Sequence, residues 1–559
     1  MKTTIGAFLI NRLHALGIRR VYGVPGDYNL EFLELLGASN DLPFIGNCNE
    51  LNAAYAADGE ARLNGIAAVL TTYGVGDLGA LPGIAGAYAE GVPVISLVGA
   101  PPLAAIRSRA LLHHTLADGN YDNVMNCYRE FTVAQARLTP ENAVQEIDRV
   151  LSACWREKRP VYLQLPSDIC YVEVEVPDIL PDLKTGVSDA KRLAAAVADI
   201  SARLARAQKP LLLVDGMVRS QQISPLLEQI IEHWQIPFAV NSPAKSVLPE
   251  SSPYFMGIYR GKGSNPALFD YVAESDCILG FDVRFVDATS GYFTQSYKTE
   301  ALIDIHPTDV RINGIFYAGV RVADLLSALL KRPAPSRAVP QIQLPSPPPV
   351  PAATGWTQDA FWQRIARFIA PGDVVIAENG TSNIGLSGQR LPTGCSYIAQ
   401  PIWGAIGYTL PALLGTLLAA PERRHLLFIG DGSLQLTVQE LSTILHHDLK
   451  PVIFLINNDG YTIERLILGE TSPYNDIAEW RYTDLPGVFS PQTKTSGFRV
   501  ETMADLEVAL ERAEKAETLT FIEVRFPRMD APQGMAAFCK KVTSYDYGAW
   551  AEEELAFSS

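Results

Sequence analysis

What most limits the fold of this chain is a repeated pattern of short, uninterrupted apolar runs. "AAVLTTY", "VPVISLVG", "PVYLQLP", "PLLLVDG", "DVVIAENG", "HLLFIGDG" and "PVIFLINN" are each followed by a stretch with helical spacing. A strand with one wet face alternates apolar and polar residues, so runs without alternation belong to strands covered on both faces. The intervening helices supply that cover. The pattern predicts an α/β fold of doubly wound parallel sheets. In such sheets ligands bind beyond the carboxyl ends of the strands, in the loops that follow.

At 559 residues the chain is too long for one core. "VEVEVPDILPDLKTGVSD" (172–189) is poor in strand formers and marked by proline, and a helical pattern follows it. "PAPSRAVPQIQLPSPPPVP" (333–351) has almost no core formers and reads as an extended, semi-rigid linker. The expected organisation is an N-terminal domain over 1–180, a middle domain over 190–330, a linker over 331–354 and a C-terminal domain over 355–559.

The net charge of −15 and the lack of any basic run argue against nucleic acid as a partner. Seven scattered cysteines without a C-x-x-C suggest neither a disulfide framework nor a zinc site, which fits a reducing cytoplasm. The opening "MKTTIGAFLINRLHALGIRR" has Ile5, Phe8, Leu9, Leu13 and Leu16 at helical spacing and reads as an amphipathic helix rather than a targeting segment. No uncharged run is long enough to span a bilayer, so no membrane partner is expected.

The chemistry concentrates in "LLFIGDGSLQLTVQELSTILHHDLKPVIFLINNDGYTIERLI". A strand over 426–429 ends in Gly430-Asp431-Gly432-Ser433, and a helix follows in which Thr437 and Glu440 have capping-box spacing. A second strand over 452–456 ends in Asn457-Asn458, before a helix that begins near Tyr461. Asp431 and Asn458 thus fall at the carboxyl ends of two strands. A carboxylate and an amide carbonyl are hard oxygen ligands for a Mg²⁺ that also takes phosphate oxygens. Gly432 and Gly460 allow close backbone approach, and the helix starts offer N–H groups to a diphosphate. Each motif alone would pass for a turn; together they mark a site.

This G-D-G…N-N pair, with residues 433–456 between its halves, resembles the thiamin diphosphate signature. "VPGDYN", "NELNAAYAADG", "LLHHTLADG", "GDGSLQLTVQE" and "NNDGYTIE" stand in the order and approximate spacing of the 2-oxo acid decarboxylases. That family includes pyruvate, indolepyruvate, phenylpyruvate and branched-chain keto acid decarboxylases. The resemblance implies pyrimidine-binding, middle and diphosphate-binding domains, with the cofactor between subunits of a homodimer or homotetramer. It also implies non-oxidative decarboxylation of a small-molecule 2-oxo acid to an aldehyde and CO₂, using thiamin diphosphate and Mg²⁺.

Carried over residue by residue, the resemblance puts Glu50 at N1′ of the cofactor's pyrimidine. Ile406 becomes the apolar wedge that bends the cofactor, and the Gly404 carbonyl serves its amino group. Asp431, Asn458 and Gly460 become the metal ligands. Asn379, Thr381, Gly432, Ser433, Tyr461, Thr462 and Ile463 become further cofactor contacts. Asp27, His113, His114 and Glu464 supply acid–base chemistry: Glu464 near the substrate carboxylate, Asp27 and His114 in proton transfer, His113 in support. Which histidine faces the substrate is left open. Glu50 begins a helix of Ala53, Ala54, Ala56 and Ala57, where desolvation is expected to raise its pKa. His446-His447 reads as a structural helix end, and Glu60 stands where the family has a tyrosine.

Where pyruvate-specific members carry bulky aromatics, this chain has Ala288 and Asn383. Ile384, Ile463, Ile467 and Phe538 would line an apolar pocket widened at Gly534, suited to indolyl, phenyl or branched aliphatic groups. The alternative is a carboligase of the acetolactate synthase kind. It shares Glu50 and G-D-G…N-N, but its pattern lacks the Asp27, His113-His114 and Glu464 set. A catalytically silent oligomer is opposed by Asp431, Asn458 and Glu50.

Overall fold

The computed structural model describes residues 2–39, 42–184, 186–338, 355–490 and 495–557. Most of the proline-rich stretch expected as a linker, 339–354, lies outside them. The described residues build three large sheets covered by helices, each holding one group of the expected strands, and a small antiparallel pair of Lys2–Thr4 with Glu173–Glu175.

The N-terminal sheet runs Phe44–Gly46, Val21–Gly23, Ala67–Thr72, Val94–Ala100, Val161–Pro166 and Gln135–Arg137, parallel throughout. Its three long central strands are buried along their whole length, as uninterrupted apolar runs require. The C-terminal sheet runs Ser396–Ile398, Val374–Ala377, His425–Gly430, Val452–Asn457, Thr520–Arg525 and Ser496–Val500, also parallel. Numbered within each sheet, both domains share one spatial order, 2-1-3-4-6-5. The strand order reverses between the first and third strands, so loops after these two strands face the crevice where ligands bind.

The middle sheet departs from an all-parallel design. Phe255–Tyr259, Phe238–Asn241, Pro210–Val214, Cys277–Phe281 and Leu302–Ile305 are parallel, and a hairpin of Asp309–Ile312 and Ile315–Ala318 adds two antiparallel edge strands. The hairpin strands are only partly buried: Asp309–Ile312 alternates charged and apolar residues, and Ile315–Ala318 is an apolar run of only four residues at an exposed edge, so neither stands out beside the longer runs. The first helix is Ile5–Leu16. The Thr4 hydroxyl caps it by accepting from the Ala7 N–H, and Ile5, Phe8, Leu9, Leu13 and Leu16 are buried. Among the described residues no helix is long and apolar enough to cross a membrane.

The two outer domains pack through the helices Glu50–Asn64 and Thr409–Ala419. A Cβ on Gly59 would sit 2.2 Å from the Ala412 carbonyl oxygen, and one on Gly415 would sit 1.9 Å from that of Ala56. Only glycine allows these helices to approach so closely. Glu60, in the tyrosine's place, is buried in this same helix. It accepts from Tyr22 Oη at 2.7 Å and Asn64 Nδ2 at 2.9 Å, and pairs with Arg20 at 2.9 Å.

His306 follows the middle-domain strand Leu302–Ile305, with Nδ1 at 2.9 Å from Asp282 and Nε2 at 2.9 Å from Asp304. Hydrogen bonds to Asp282 and then Asp304 push its pKa up to about 10. The unfolded imidazole titrates near pH 6.5, so the stabilisation is whole below about 6.5 and is lost as pH rises towards 10. His306→Gln should therefore lower the urea midpoint clearly at pH 6 and little at pH 10. An equal loss at both pH values would contradict this.

Candidate active site

In the C-terminal domain the strands His425–Gly430 and Val452–Asn457 are parallel neighbours, which brings Asp431 and Asn458 to adjoining strand ends. Both residues are buried. The Asp431 carboxylate accepts from the Gly432 N–H at 2.9 Å and the Gly460 N–H at 3.0 Å. Burial nevertheless pushes its pKa up to about 6. A divalent cation at this carboxylate would offset that desolvation cost. A Cβ on Gly432 would meet the Tyr461 ring at 2.4 Å, and one on Gly460 (φ +117°) would meet the Asn475 carbonyl oxygen at 2.3 Å.

Arg465, invisible as a site residue in the sequence, holds this loop from beneath. Its guanidinium donates to the carbonyls of Asp459 (2.6 Å) and Asn475 (3.1 Å) and to the Asp476 carboxylate (2.9 Å). Hard oxygens at paired strand ends, beside backbone with no room for a side chain, fit a metal–diphosphate group.

The first strand of the same sheet leads into Glu378, Asn379, Gly380 and Thr381. Asn379 Nδ2 donates to the Gln400 carbonyl at 2.9 Å, and Gly404 lies beyond it with φ +72°. Thr381 and Ser433 are buried, and Ile406 is half-buried. Glu378 was also missed. It is fully enclosed, accepts from Thr409 Oγ1 at 2.8 Å and the Gly407 N–H at 3.1 Å, and burial pushes its pKa up to about 7. Its sequence signal, an acid directly after an apolar run, is common to many strand ends.

The N-terminal domain assembles a second group beyond the carboxyl ends of its own strands. Asp27 lies in the loop after Val21–Gly23. Asn29 braces that loop, accepting from the Gly26 N–H at 3.0 Å and donating to the Val24 carbonyl at 3.1 Å. His113 Nε2 sits 2.6 Å from Asp27 Oδ2, and its ring stacks on Tyr28 with centroids 5.3 Å apart. His114 adopts left-handed backbone (φ 60°), with its ring edge-on to His113 at 4.6 Å. Its Nδ1 is buried without a hydrogen-bond partner among the described residues. Its carbonyl oxygen lies 1.7 Å from where a Cβ on Gly74 would be, so that glycine admits the loop. Glu50 is half-buried at the start of its helix, above Gly76 and Gly79. A Cβ on these would come within 3.3 and 3.5 Å of it.

The expected capping box between Thr437 and Glu440 does not form. A break separates the helices Asp431–Thr437 and Glu440–His446, and Thr437 Oγ1 donates to the Gly407 carbonyl at 2.7 Å. Glu440 crosses the domain interface instead. It accepts from Asn47 Nδ2 at 2.7 Å, Asn52 Nδ2 at 2.8 Å and the Cys48 N–H at 3.4 Å, all flanking Glu50. Three long-range donors outcompete one local N–H. Glu440→Ala would leave two amides unpaired in the interior and should cost about 2–4 kcal/mol of stability in urea unfolding. A loss under about 0.5 kcal/mol would show the carboxylate to be dispensable.

Glu464 is exposed on the helix Thr462–Ile467, beside Ile463 and Ile467. The carbonyls of Ile463 and Ile467 take bonds from Cys539 Sγ (3.9 Å) and Thr543 Oγ1 (2.7 Å) of the C-terminal helix Met535–Phe557. Phe538 on that helix meets Tyr292 of the middle domain at 5.9 Å. Ala288 lies exposed on the short helix Asp287–Ser290 just before Tyr292. Asn383 accepts from Tyr397 Oη at 2.7 Å, with Ile384 next to it, and Gly534 faces open space. Tyr292 was not predicted, and nothing in its sequence context marks it. No described hydrogen bond, ion pair or ring contact joins Asp27, Glu50, His113 or His114 to Asp431, Asn458 or Glu464 within one chain. Exposed apolar side chains flank both groups: Val75 and Leu78 beside Glu50, and Leu436 in the helix that begins at Asp431.

Comparison with known proteins agrees with this layout. The chain matches, in order, the thiamine pyrophosphate enzyme N-terminal TPP binding domain over residues 3–122, the central domain over 197–332 and the C-terminal TPP binding domain over 380–524. An alpha-keto-acid decarboxylase of Mycolicibacterium paratuberculosis is 42% identical over 537 residues, 95% of each chain. That of Mycobacterium leprae is 41% identical over 547 residues, 96% of this chain and 95% of that one. A thiamine diphosphate-dependent 4-hydroxybenzoylformate decarboxylase from Rhodococcus jostii RHA1 shares the fold, with a TM-score of 0.74 at 21% identity over 94% of this chain and 99% of that one. The chain belongs to the thiamine pyrophosphate enzymes, and within them to the 2-oxo acid decarboxylase family, whose members are carboxy-lyases.

Proposed function

We propose that the protein is a cytoplasmic, Mg²⁺- and thiamin diphosphate-dependent decarboxylase that converts a 2-oxo acid larger than pyruvate into an aldehyde and CO₂. The observation that carries this reading is the pair of half-sites at the carboxyl ends of two sheets with the same strand order, one with buried hard oxygen ligands and the other with the Asp27–His113–His114 cluster. Asp431, Asn458 and the Gly460 carbonyl would hold the Mg²⁺, and Gly432, Ser433, Asn379, Thr381, Tyr461, Thr462 and Ile463 would surround the diphosphate end. Gly404 and Ile406 would line the cofactor between its two ends. Bound there, thiamin diphosphate supplies the carbanion-stabilising centre that a 2-oxo acid needs to lose CO₂.

The chain's own residues do the rest. Glu50 holds a proton against the pyrimidine. Glu464 gives the substrate carboxylate an unfavourable neighbour that departing CO₂ relieves. Asp27 fixes His113 through the 2.6 Å contact. His114, with its free Nδ1, is the histidine that exchanges a proton with the product. The two half-sites meet when Glu50 of one subunit faces Asp431 of another in a homodimer or homotetramer, which also covers Val75, Leu78 and Leu436. Seven free cysteines accord with a reducing compartment.

Small side chains at Ala288 and Asn383, the apolar Ile384, Ile463, Ile467 and Phe538, and the open Gly534 favour aromatic or branched substrates. A panel of pyruvate, 3-methyl-2-oxobutanoate, phenylpyruvate and indolepyruvate tests this. The expected kcat/KM for the best larger substrate exceeds that for pyruvate by about tenfold or more. Pyruvate as the best substrate would overturn the size preference, and acetolactate as the main product from pyruvate would make the protein a carboligase.

A further inference from the structure

Away from the cofactor site, a cleft of about 250 Å³ opens where the N-terminal domain, the segment leaving it and the middle domain meet. Four cations line it: Arg156, Lys158, Lys184 and Arg321. No described Asp or Glu does. Lys158 follows the helix Ala143–Glu157 and is 7% exposed. Its Nζ lies 3.2 Å from the centre of the Trp155 ring, and Lys184 Nζ lies 4.8 Å from the same ring.

Burial pushes the Lys158 ammonium down to about 7, and Lys184 and Arg321 add to that shift. Only the Cys154 thiol acts the other way, and burial keeps that thiol neutral. The aromatic face compensates part of the cost of enclosing this cation. Among the described residues no carboxylate acts on Lys158; Arg156 pairs with Glu157 at 2.8 Å, and Arg321 donates to the Gly186 carbonyl. The helix Val322–Leu329 begins at the cleft with no side-chain cap, and its first residues Val322 and Ala323 line the wall. The Val322 N–H donates to the Pro307 carbonyl and the first-turn Asp324 accepts from Ser188 Oγ, so the positive character of the cleft rests on the four side chains.

We propose that this cleft binds a small organic anion, a phosphate or carboxylate carried on a flat apolar body that lies along Trp155. The cleft is smaller than most drug-sized pockets, so the body is about one ring. The anionic group sits among Lys158, Lys184 and Arg321, and the ligand bridges the N-terminal and middle domains. The site is independent of the decarboxylase reading, since none of its residues belongs to either half-site.

The test is calorimetric titration of the holoenzyme, with thiamin diphosphate and Mg²⁺ in excess so that the diphosphate site is filled. Phenyl phosphate, phenylacetate and neutral benzyl alcohol are the probes. Saturable binding of at least one anion is expected, weakened about tenfold or more in Lys158→Met and in Arg321→Gln, with no matching signal for benzyl alcohol. The tighter of the two anions assigns phosphate or carboxylate chemistry. If Lys158→Met does not fold, Lys184→Gln with Arg321→Gln carries the test, since those side chains are less buried. No saturable binding of either anion up to about 10 mM would overturn the proposal. Equal binding of benzyl alcohol, or affinity unchanged in Arg321→Gln, would also overturn it.

Discussion

Glu50→Gln is expected to lower kcat by about 1,000-fold while the protein stays folded. Glutamine keeps the shape of the side chain but can neither hold nor release the proton proposed for it. Glu50 caps nothing itself; its helix is capped by Asn49, which accepts from the Asn52 N–H at 2.8 Å. Gly76 and Gly79 beneath it leave room for the amide. Melting temperature and cofactor affinity should therefore move little, and the loss should lie in turnover at saturating substrate. Activity within about tenfold of wild type would refute the proton-holding role.

The second large effect is on the metal. Asp431→Ala removes a carboxylate from the buried end of strand His425–Gly430 and leaves the Gly460 N–H without its 3.0 Å acceptor. The Mg²⁺ concentration for half-maximal activity should rise by about 100-fold or more, with cofactor affinity falling alongside it. Stability without cofactor should change in the opposite sense or little, because a carboxyl whose pKa burial raises to about 6 is a cost to the apo fold. Unchanged Mg²⁺ dependence would remove Asp431 from the metal site. Ser433, beside it, should have a far smaller effect when changed to alanine.

Much of this fold is written in uninterrupted apolar runs, because a strand buried on both faces has no freedom to alternate. The hairpin Asp309–Ala318 escaped the same reading because its strands are four residues each at a wet sheet edge, the first of them alternating charged and apolar residues. Asp431 and Asn458 were legible because their chemistry depends on position along one local stretch. Glu440, Glu378 and Arg465 were not. Each acts through partners set by tertiary packing, and Glu440 reaches residues nearly four hundred positions away, against the local capping that its spacing suggested. The two histidine pairs make the same point. His446-His447 simply ends a helix, whereas His113-His114 is placed by Gly74, Tyr28 and Asp27, none of which is its neighbour in sequence. The proposed meeting of Glu50 with Asp431 across subunits rests on no contact within the chain, so only the family resemblance points to it.

The most direct test of the account is product stoichiometry from the purified protein with Mg²⁺, thiamin diphosphate and an aromatic or branched 2-oxo acid. One CO₂ and one aldehyde should appear for each 2-oxo acid consumed, and both should vanish when the metal and cofactor are stripped and return when they are restored. CO₂ from none of the 2-oxo acids, or release that survives removal of the cofactor, would contradict it.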